Sequence, residues 1–189
     1  MNRRTVLQWL SGTIAAACSA VVVVPGVSYV MATVGRRKAG QTVLRRVAPL
    51  AALRPGRPVV MAITGSRQDA WTTYAQELVG RVWLVRRSDD STPPDQAQVQ
   101  AFSTVCPHLG CETQTDDAGK GFFCPCHKAK FALTGDKAAA KIGGEKNHAS
   151  RGLDSLECRV AQDETSGEWW VEVKYETFER GLTKKVATA

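Results

Sequence analysis

No aspartate or glutamate precedes Asp69. The first 68 residues carry ten basic side chains instead: Arg3, Arg4, Arg36, Arg37, Lys38, Arg45, Arg46, Arg54, Arg57 and Arg67. From Asp69 onward fifteen basic residues meet eighteen acidic ones, so the formal +7 divides into an N-terminal +10 and a remainder of −3. That division excludes a nucleic-acid-binding face as the source of the basic balance and points to a segment flanking a membrane. Histidine is scarce: there are three, His108, His127 and His148. One histidine after His127 is too few for a mononuclear iron site of two histidines and a carboxylate. Residues 5–35 lack any charge, which no solvent-facing helix of a globular protein tolerates, and the run exceeds the ~20 apolar positions that cross a bilayer. Within it, Pro25-Gly26 is expected to kink or interrupt a helix, and Cys18 is a small packing residue. The 189 residues allow one ordinary domain plus an appendage.

The N-terminal run Asn2-Arg3-Arg4-Thr5-Val6-Leu7 resembles a twin-arginine export signal, whose machinery moves folded, cofactor-loaded domains. Counting positive charges points the opposite way, since five basic residues from Arg36 to Arg46 follow the span. The signal takes precedence because the count describes another insertion route. A cut after Ala32, in Val30-Met31-Ala32, is the alternative to a retained anchor, but the span is longer than a signal's apolar core. Residues 1–35 are therefore read as signal and transmembrane anchor. Residues 36–58, rich in Gly, Pro and Arg, read as a neck, either hinge or plain linker. A short helix over 42–53 fits there, limited by Pro49 and Pro55.

From residue 59 to 189 the pattern is β. Runs at 59–63, 81–87, 99–104, 131–134, 156–161 and 169–175 are rich in Val and aromatic residues and are separated by Gly, Pro, Asp and Ser. In the last run Trp169, Val171, Val173 and Tyr175 share one face while Glu172 and Lys174 share the other. Residues 163–167 supply the turn pairing it with 156–161. The expected class is all-β, an antiparallel domain of layered sheets preceded by one transmembrane helix. Trp71, Trp83, Trp169 and Trp170 read as packing residues, and 89–95 as a surface loop.

Against this background stand two boxes, Cys106-Pro107-His108-Leu109-Gly110-Cys111 and Cys124-Pro125-Cys126-His127. Two sulfurs and two imidazoles make a four-ligand metal site, and tetrahedral zinc accepts that set. A structural zinc module leaves Cys111 and Cys126 unexplained. The double box resembles the Rieske iron-sulfur family. The resemblance implies a 2Fe-2S cluster with ligands Cys106, His108, Cys124 and His127, a disulfide between Cys111 and Cys126, and cluster-binding loops within about 104–150.

The ligand set implies a redox character. Two ferric ions, two sulfides and two thiolates sum to zero, so an electron enters a neutral centre, which raises the potential over a four-cysteine cluster. Each ligand imidazole keeps a free ring nitrogen whose proton affinity rises on reduction, a pairing that suits a quinol donor. The histidine inventory speaks against an oxygenase catalytic subunit. Segment 170–185 and Arg151-Gly-Leu-Asp-Ser-Leu also resemble bacterial quinol-cytochrome c reductase subunits. The resemblance therefore implies an electron-transfer subunit of a cytochrome bc type oxidoreductase in the bacterial cytoplasmic membrane, its cluster domain on the periplasmic side. Its partners would be a cytochrome b type subunit, a cytochrome c type haem and a membrane quinol, which His127 would meet. The alternative is the small Rieske subunit of an exported molybdoenzyme such as arsenite oxidase.

Two departures from the family pattern stand out. After His127 the run is Lys128-Ala129-Lys130-Phe131, where relatives carry glycine, serine and tyrosine, so two hydroxyl donors to the cluster sulfurs are absent. The third loop, proline-rich in relatives, is 141–150 with Gly143-Gly144, and its His148 reads as a solvated loop residue. Each lost donor lowers the potential by ~1 to 2 kcal/mol, roughly 40 to 90 mV for one electron. Exposed Lys128 and Lys130 raise it by at most ~1 kcal/mol, about 40 mV, each. The expected potential is below that of hydroxyl-bearing relatives and favours menaquinol. Ala129→Ser with Phe131→Tyr is expected to raise the midpoint in voltammetry; an unchanged or lower value would refute the hydrogen-bond argument.

Overall fold

A computed structural model describes residues 2–36, 44–69, 72–138 and 147–188, with the side chains of 32–36 and 67–69 excepted. Trp71, Gly143, Gly144 and the neck residues 37–43 lie outside the described residues. The chain forms two units, one within 1–41 and one spanning 42–188.

The first unit is one helix, α1 (Arg3–Arg36). Its apolar stretch Arg3–Met31 has a mean hydropathy of 2.0 over its best window and buries none of that window within the protein. At 1.5 Å per residue those 29 residues span about 44 Å, more than the ~30 Å hydrocarbon layer. Ser11 and Thr13 turn their hydroxyls back onto the carbonyls of Leu7 (2.6 Å) and Leu10 (2.9 Å), which satisfies these two donors within the helix. Pro25 does not interrupt the helix, contrary to expectation: its missing N–H removes one bond in a helix that α1 continues for eleven residues beyond it.

The second unit is built from ten strands. β1 (Leu44–Pro49) is followed by a short 3-10 turn (Leu50–Ala52). Then come β2 (Pro58–Asp69), β3 (Thr72–Arg86), β4 (Val99–Ser103), β5 (Gln114–Thr115), β6 (Gly121–Phe123) and β7 (Lys130–Ala132). β8 (Ser155–Leu156), β9 (Cys158–Gln162) and β10 (Trp169–Lys174) complete the set. They form three antiparallel sheets in the orders β1-β10-β9, β2-β3-β4-β8 and β5-β6-β7. The all-β, antiparallel expectation holds.

The helix expected over 42–53 is absent. The edge of β10 offers a ladder from Leu44 opposite Lys174 to Pro49 opposite Trp170, and this pairing overrides helix propensity. It buries Ala48 completely and leads Leu50 and Leu53 into the core, so 44–58 belongs to the β unit and not to a neck. The run read as one strand over 156–161 is two, because Leu156 pairs with Ala101 of β4 whereas Cys158 pairs with Val173 of β10.

The last five residues of β3, 82–86, are buried on both faces, and their period of two divides the interior. Val82 and Leu84 join Ile63, Ala101, Leu156, Val171 and Val173 in one core. Trp83 and Val85, pointing the other way, join Phe102, Phe122, Phe131 and Leu153 in a second core that also encloses Cys106 and Cys124. One strand thus ties the scaffold to the metal-binding boxes.

The β9–β10 turn is held by Asp163, whose carboxylate accepts the N–H groups of Thr165 (2.9 Å) and Ser166 (2.8 Å) and pairs with Arg46 of β1. The Ser166 N–H, then the Arg46 guanidinium and the Thr165 N–H, hold this carboxyl at about 2. A carboxylate with a folded value below its unfolded ~3.9 adds stability that is full above about pH 4 and lost as pH falls through about 2. Asp163→Asn is therefore expected to be less stable than wild type at pH 7, with the difference shrinking between pH 4 and 2 in thermal melts followed by circular dichroism. Parallel pH profiles would refute the assignment.

Candidate metal centre

Both boxes are loops closed in the same way. In the first, the Cys106 N–H donates to the Cys111 carbonyl (2.8 Å); in the second, the Cys124 N–H donates to the Ala129 carbonyl (2.8 Å). Each bond spans five residues and turns the cysteine side chain inward. In each loop the penultimate residue takes a left-handed backbone: Gly110 has φ +86° and Lys128 has φ +55°. The backbone thus keeps at Lys128 the conformation that glycine adopts freely, at ~1 to 2 kcal/mol for a residue with a Cβ. At Gly110 a Cβ would lie 2.6 Å from Arg180 Nε, so the Arg180 side chain would have to shift to admit one.

A disulfide joins Cys111 to Cys126 and so fixes the loops against each other. The unpaired thiols of Cys106 and Cys124 are buried, at 1% and 2% exposure, whereas His127 is exposed and His108 half-buried. The rings of His108 and His127 meet edge to face at 4.8 Å between centroids. All four expected ligands and both expected clamp cysteines are therefore brought to one tip. Ala129 and Phe131 are buried beside them, and neither carries a hydroxyl.

The donor set fits an iron-sulfur cluster better than a single zinc ion. Among the described residues, the one trio of candidate ligand atoms within 4.8 Å of one another is Cys111, Cys124 and Cys126, and two of these are bound in the disulfide. Tetrahedral zinc at 2.0–2.3 Å would draw all its donors within about 4 Å of each other. Among the described residues no three of Cys106, His108, Cys124 and His127 have their ligand atoms all within 4.8 Å of one another, so one small ion does not gather them. Burial pushes the Cys106 thiol up to about 12, against the His108 N–H and with help from neighbouring Cys124. Burial also lowers His108, with His127 and then His148 adding to the effect, which favours the neutral imidazole that a metal requires.

Other contacts support the loops without any local sequence signal. Trp83 Nε1–H donates to Thr113 Oγ1 (3.0 Å), whose hydroxyl bonds the Thr104 carbonyl (2.8 Å), and the Trp83 ring packs on Phe122 at 5.3 Å. From the C-terminal segment, the Gly181 N–H bonds the Pro107 carbonyl (2.8 Å). Arg151 forks onto both oxygens of buried Asp154 (2.7 Å each) and reaches the Glu179 and Leu182 carbonyls (2.7 and 2.6 Å). His148 is exposed, as expected of a solvated loop residue, and its ring is near-parallel to that of His108 at 6.1 Å between centroids.

A two-loop, two-thiol and two-imidazole centre on an antiparallel β scaffold defines an iron-sulfur protein with an apolar N-terminal helix. The chain belongs to the Rieske [2Fe-2S] domain family, whose model matches residues 46–146. Its cofactor is the 2Fe-2S cluster. Over 184 residues the chain is 28% identical to the cytochrome b6-f complex iron-sulfur subunit of Gloeobacter violaceus, covering 91% of this chain and 85% of that protein. It is 56% identical over 36 residues to the corresponding subunit of Chlorobaculum thiosulfatiphilum, a match spanning 19% of this chain and 20% of the relative. A putative respiratory nitrate reductase subunit Rieske of Haloferax mediterranei is 35% identical over 86 residues, 42% of this chain and 36% of that one. Among solved structures, a hyperthermophilic respiratory Complex III chain aligns with a TM-score of 0.40 at 17% identity, covering 83% of this chain and 98% of that chain.

The loops have little core of their own, so the disulfide is their main clamp. Its loss is expected to weaken them by about 2 to 5 kcal/mol. Cys111→Ser should lose cluster content, read as the EPR signal of dithionite-reduced protein; full retention would show that the clamp is dispensable. Cys158 provides the internal control. Its thiol donates to the Val99 carbonyl (3.2 Å) and is pushed up by burial, so it should resist alkylation.

Proposed function

We propose that this protein is an electron-transfer subunit that oxidises a membrane quinol, with menaquinol favoured, and passes the electron to a cytochrome c type haem. It would work beside a cytochrome b type subunit. In this reading α1 anchors the chain in the bacterial cytoplasmic membrane and the cluster domain stands on the periplasmic side. Cys106, His108, Cys124 and His127 are the ligands. The bound cluster supplies a one-electron couple.

The observation that carries this reading is the polarity of the site, with thiols sealed inside and His127 exposed at the tip. The buried second core keeps water from the sulfurs. His127 orients the donor by hydrogen bonding at its outward ring nitrogen, and that atom holds the proton released as the donor is oxidised. Cytochrome b6-f iron-sulfur subunits, being relatives over most of the chain, support the choice of a cytochrome complex. The Haloferax relative, named as a Rieske subunit of a respiratory nitrate reductase, supports a second reading, the small Rieske subunit of an exported molybdoenzyme such as arsenite oxidase. Co-purification with a b-type cytochrome from detergent extracts separates the two.

A proton held at His127 makes the midpoint potential pH-dependent. Reduction raises the affinity of the ring nitrogen for its proton, so the midpoint should fall with rising pH once the oxidised form deprotonates, by about 59 mV per pH unit for one proton per electron. Voltammetry between pH 6 and 10 reads this slope; a flat line across the range would remove the proton-coupled role.

A further inference from the structure

All three histidines of the chain meet at one tip. Two are read as ligands, and the third is fixed there by its neighbours. Asn147 is buried; its Nδ2 donates to the carbonyls of Lys130 (2.8 Å) and Ala138 (3.1 Å), and its Oδ1 accepts the Ala149 N–H (3.1 Å). Ala149 is 1% exposed, and its carbonyl accepts the Lys137 ammonium. These anchors hold the backbone on both sides of His148 while its ring stays exposed. Since Lys130 begins the strand that leaves the second box, the anchoring is to the cluster-binding loops themselves.

The ring geometry around His108 is unequal to that around His127. His148 lies over His108 with rings 25° from parallel, and His127 meets the same ring at 78°. His108 therefore has two neighbouring rings, His127 at 4.8 Å and His148 at 6.1 Å between centroids, and is half-buried, whereas His127 stands exposed. We infer that His148 is a positioning residue that covers His108 and leaves His127 as the one ligand imidazole open to a docking donor. The covering stands on the ring geometry, and the identity of the donor as a quinol rests on the function proposed above. Electron entry then has one door. A bulky planar donor approaching the tip meets the His148 plate on the His108 side and a free ring edge on the His127 side.

Diethyl pyrocarbonate, which acylates the imidazole nitrogen that carries no metal, reads this directly. Full-length, cluster-loaded protein in detergent is treated and each histidine is quantified by mass spectrometry. His127 and His148 should react several-fold faster than His108. In His148→Ala the His108 rate should rise several-fold, and His148→Phe, which restores a ring without an imidazole, should return it to the wild-type rate. Equal rates at His108 and His127 in wild type, or an unchanged His108 rate in His148→Ala, would overturn the inference. If His148→Ala loses its cluster, the wild-type and His148→Phe rates decide, because protection of His108 in both still requires a covering ring. A sample lacking the reduced-cluster EPR signal would count against the quinol reading, and the labelling order would still test the covering.

Discussion

Two six-residue loops must be held face to face with their thiols pointing inward, and neither has enough apolar surface to hold itself there. The disulfide between Cys111 and Cys126 is the interaction on which the rest depends. It acts on loops already shaped by matching backbone bonds from Cys106 to Cys111 and from Cys124 to Ala129. With both the covalent link and the closures in place, Cys106 and Cys124 can be sealed by Phe122, Phe131 and Trp83, and the imidazoles are left at the rim. Without the link, Cys106 and Cys124 would sit on loops no longer tied to each other.

The boxes were legible because metal chemistry is written in side-chain identity and spacing, and Cys106, His108, Cys124 and His127 do meet at one tip. The β character was legible where one face is buried, as in Trp169–Lys174, where Val171 and Val173 are fully enclosed. It failed where burial does not alternate. β1 bulges between Arg46 and Ala48, so its pattern has no period to read. The distal part of the β2–β3 hairpin, at Thr73, Tyr74, Leu78 and Val79, is exposed and leaves no apolar signature. β5, β6 and β7 are two or three residues long, too short for any periodicity.

Two features of the site had no sequence signal at all. Lys128 gives no hint of a left-handed backbone, because that conformation is imposed by closure of the loop onto Ala129. His148 is solvated, as read, but its neighbours offer no motif for its place beside His108. Its place is set by the side chain of Asn147, which reaches carbonyls at Lys130 and Ala138 that are distant in sequence. Residue type records neither: the one follows from a backbone bond that closes the loop itself, the other from carbonyls of distant segments.

The division of one extended run into β8 and β9 has a mechanical consequence. Leu156 is committed to the sheet that contains β3, Cys158 to the sheet that contains β10, and the Glu157 carbonyl between them accepts the Lys174 N–H at 2.8 Å. The two sheets are thus riveted through a single residue, with the Cys158 thiol reaching back across the joint to Val99. A joint of one residue with its backbone bonded has no slack to let one sheet slide on the other. Sliding these two sheets past each other would first have to break that backbone bond, so the scaffold on which the second core rests behaves as one piece.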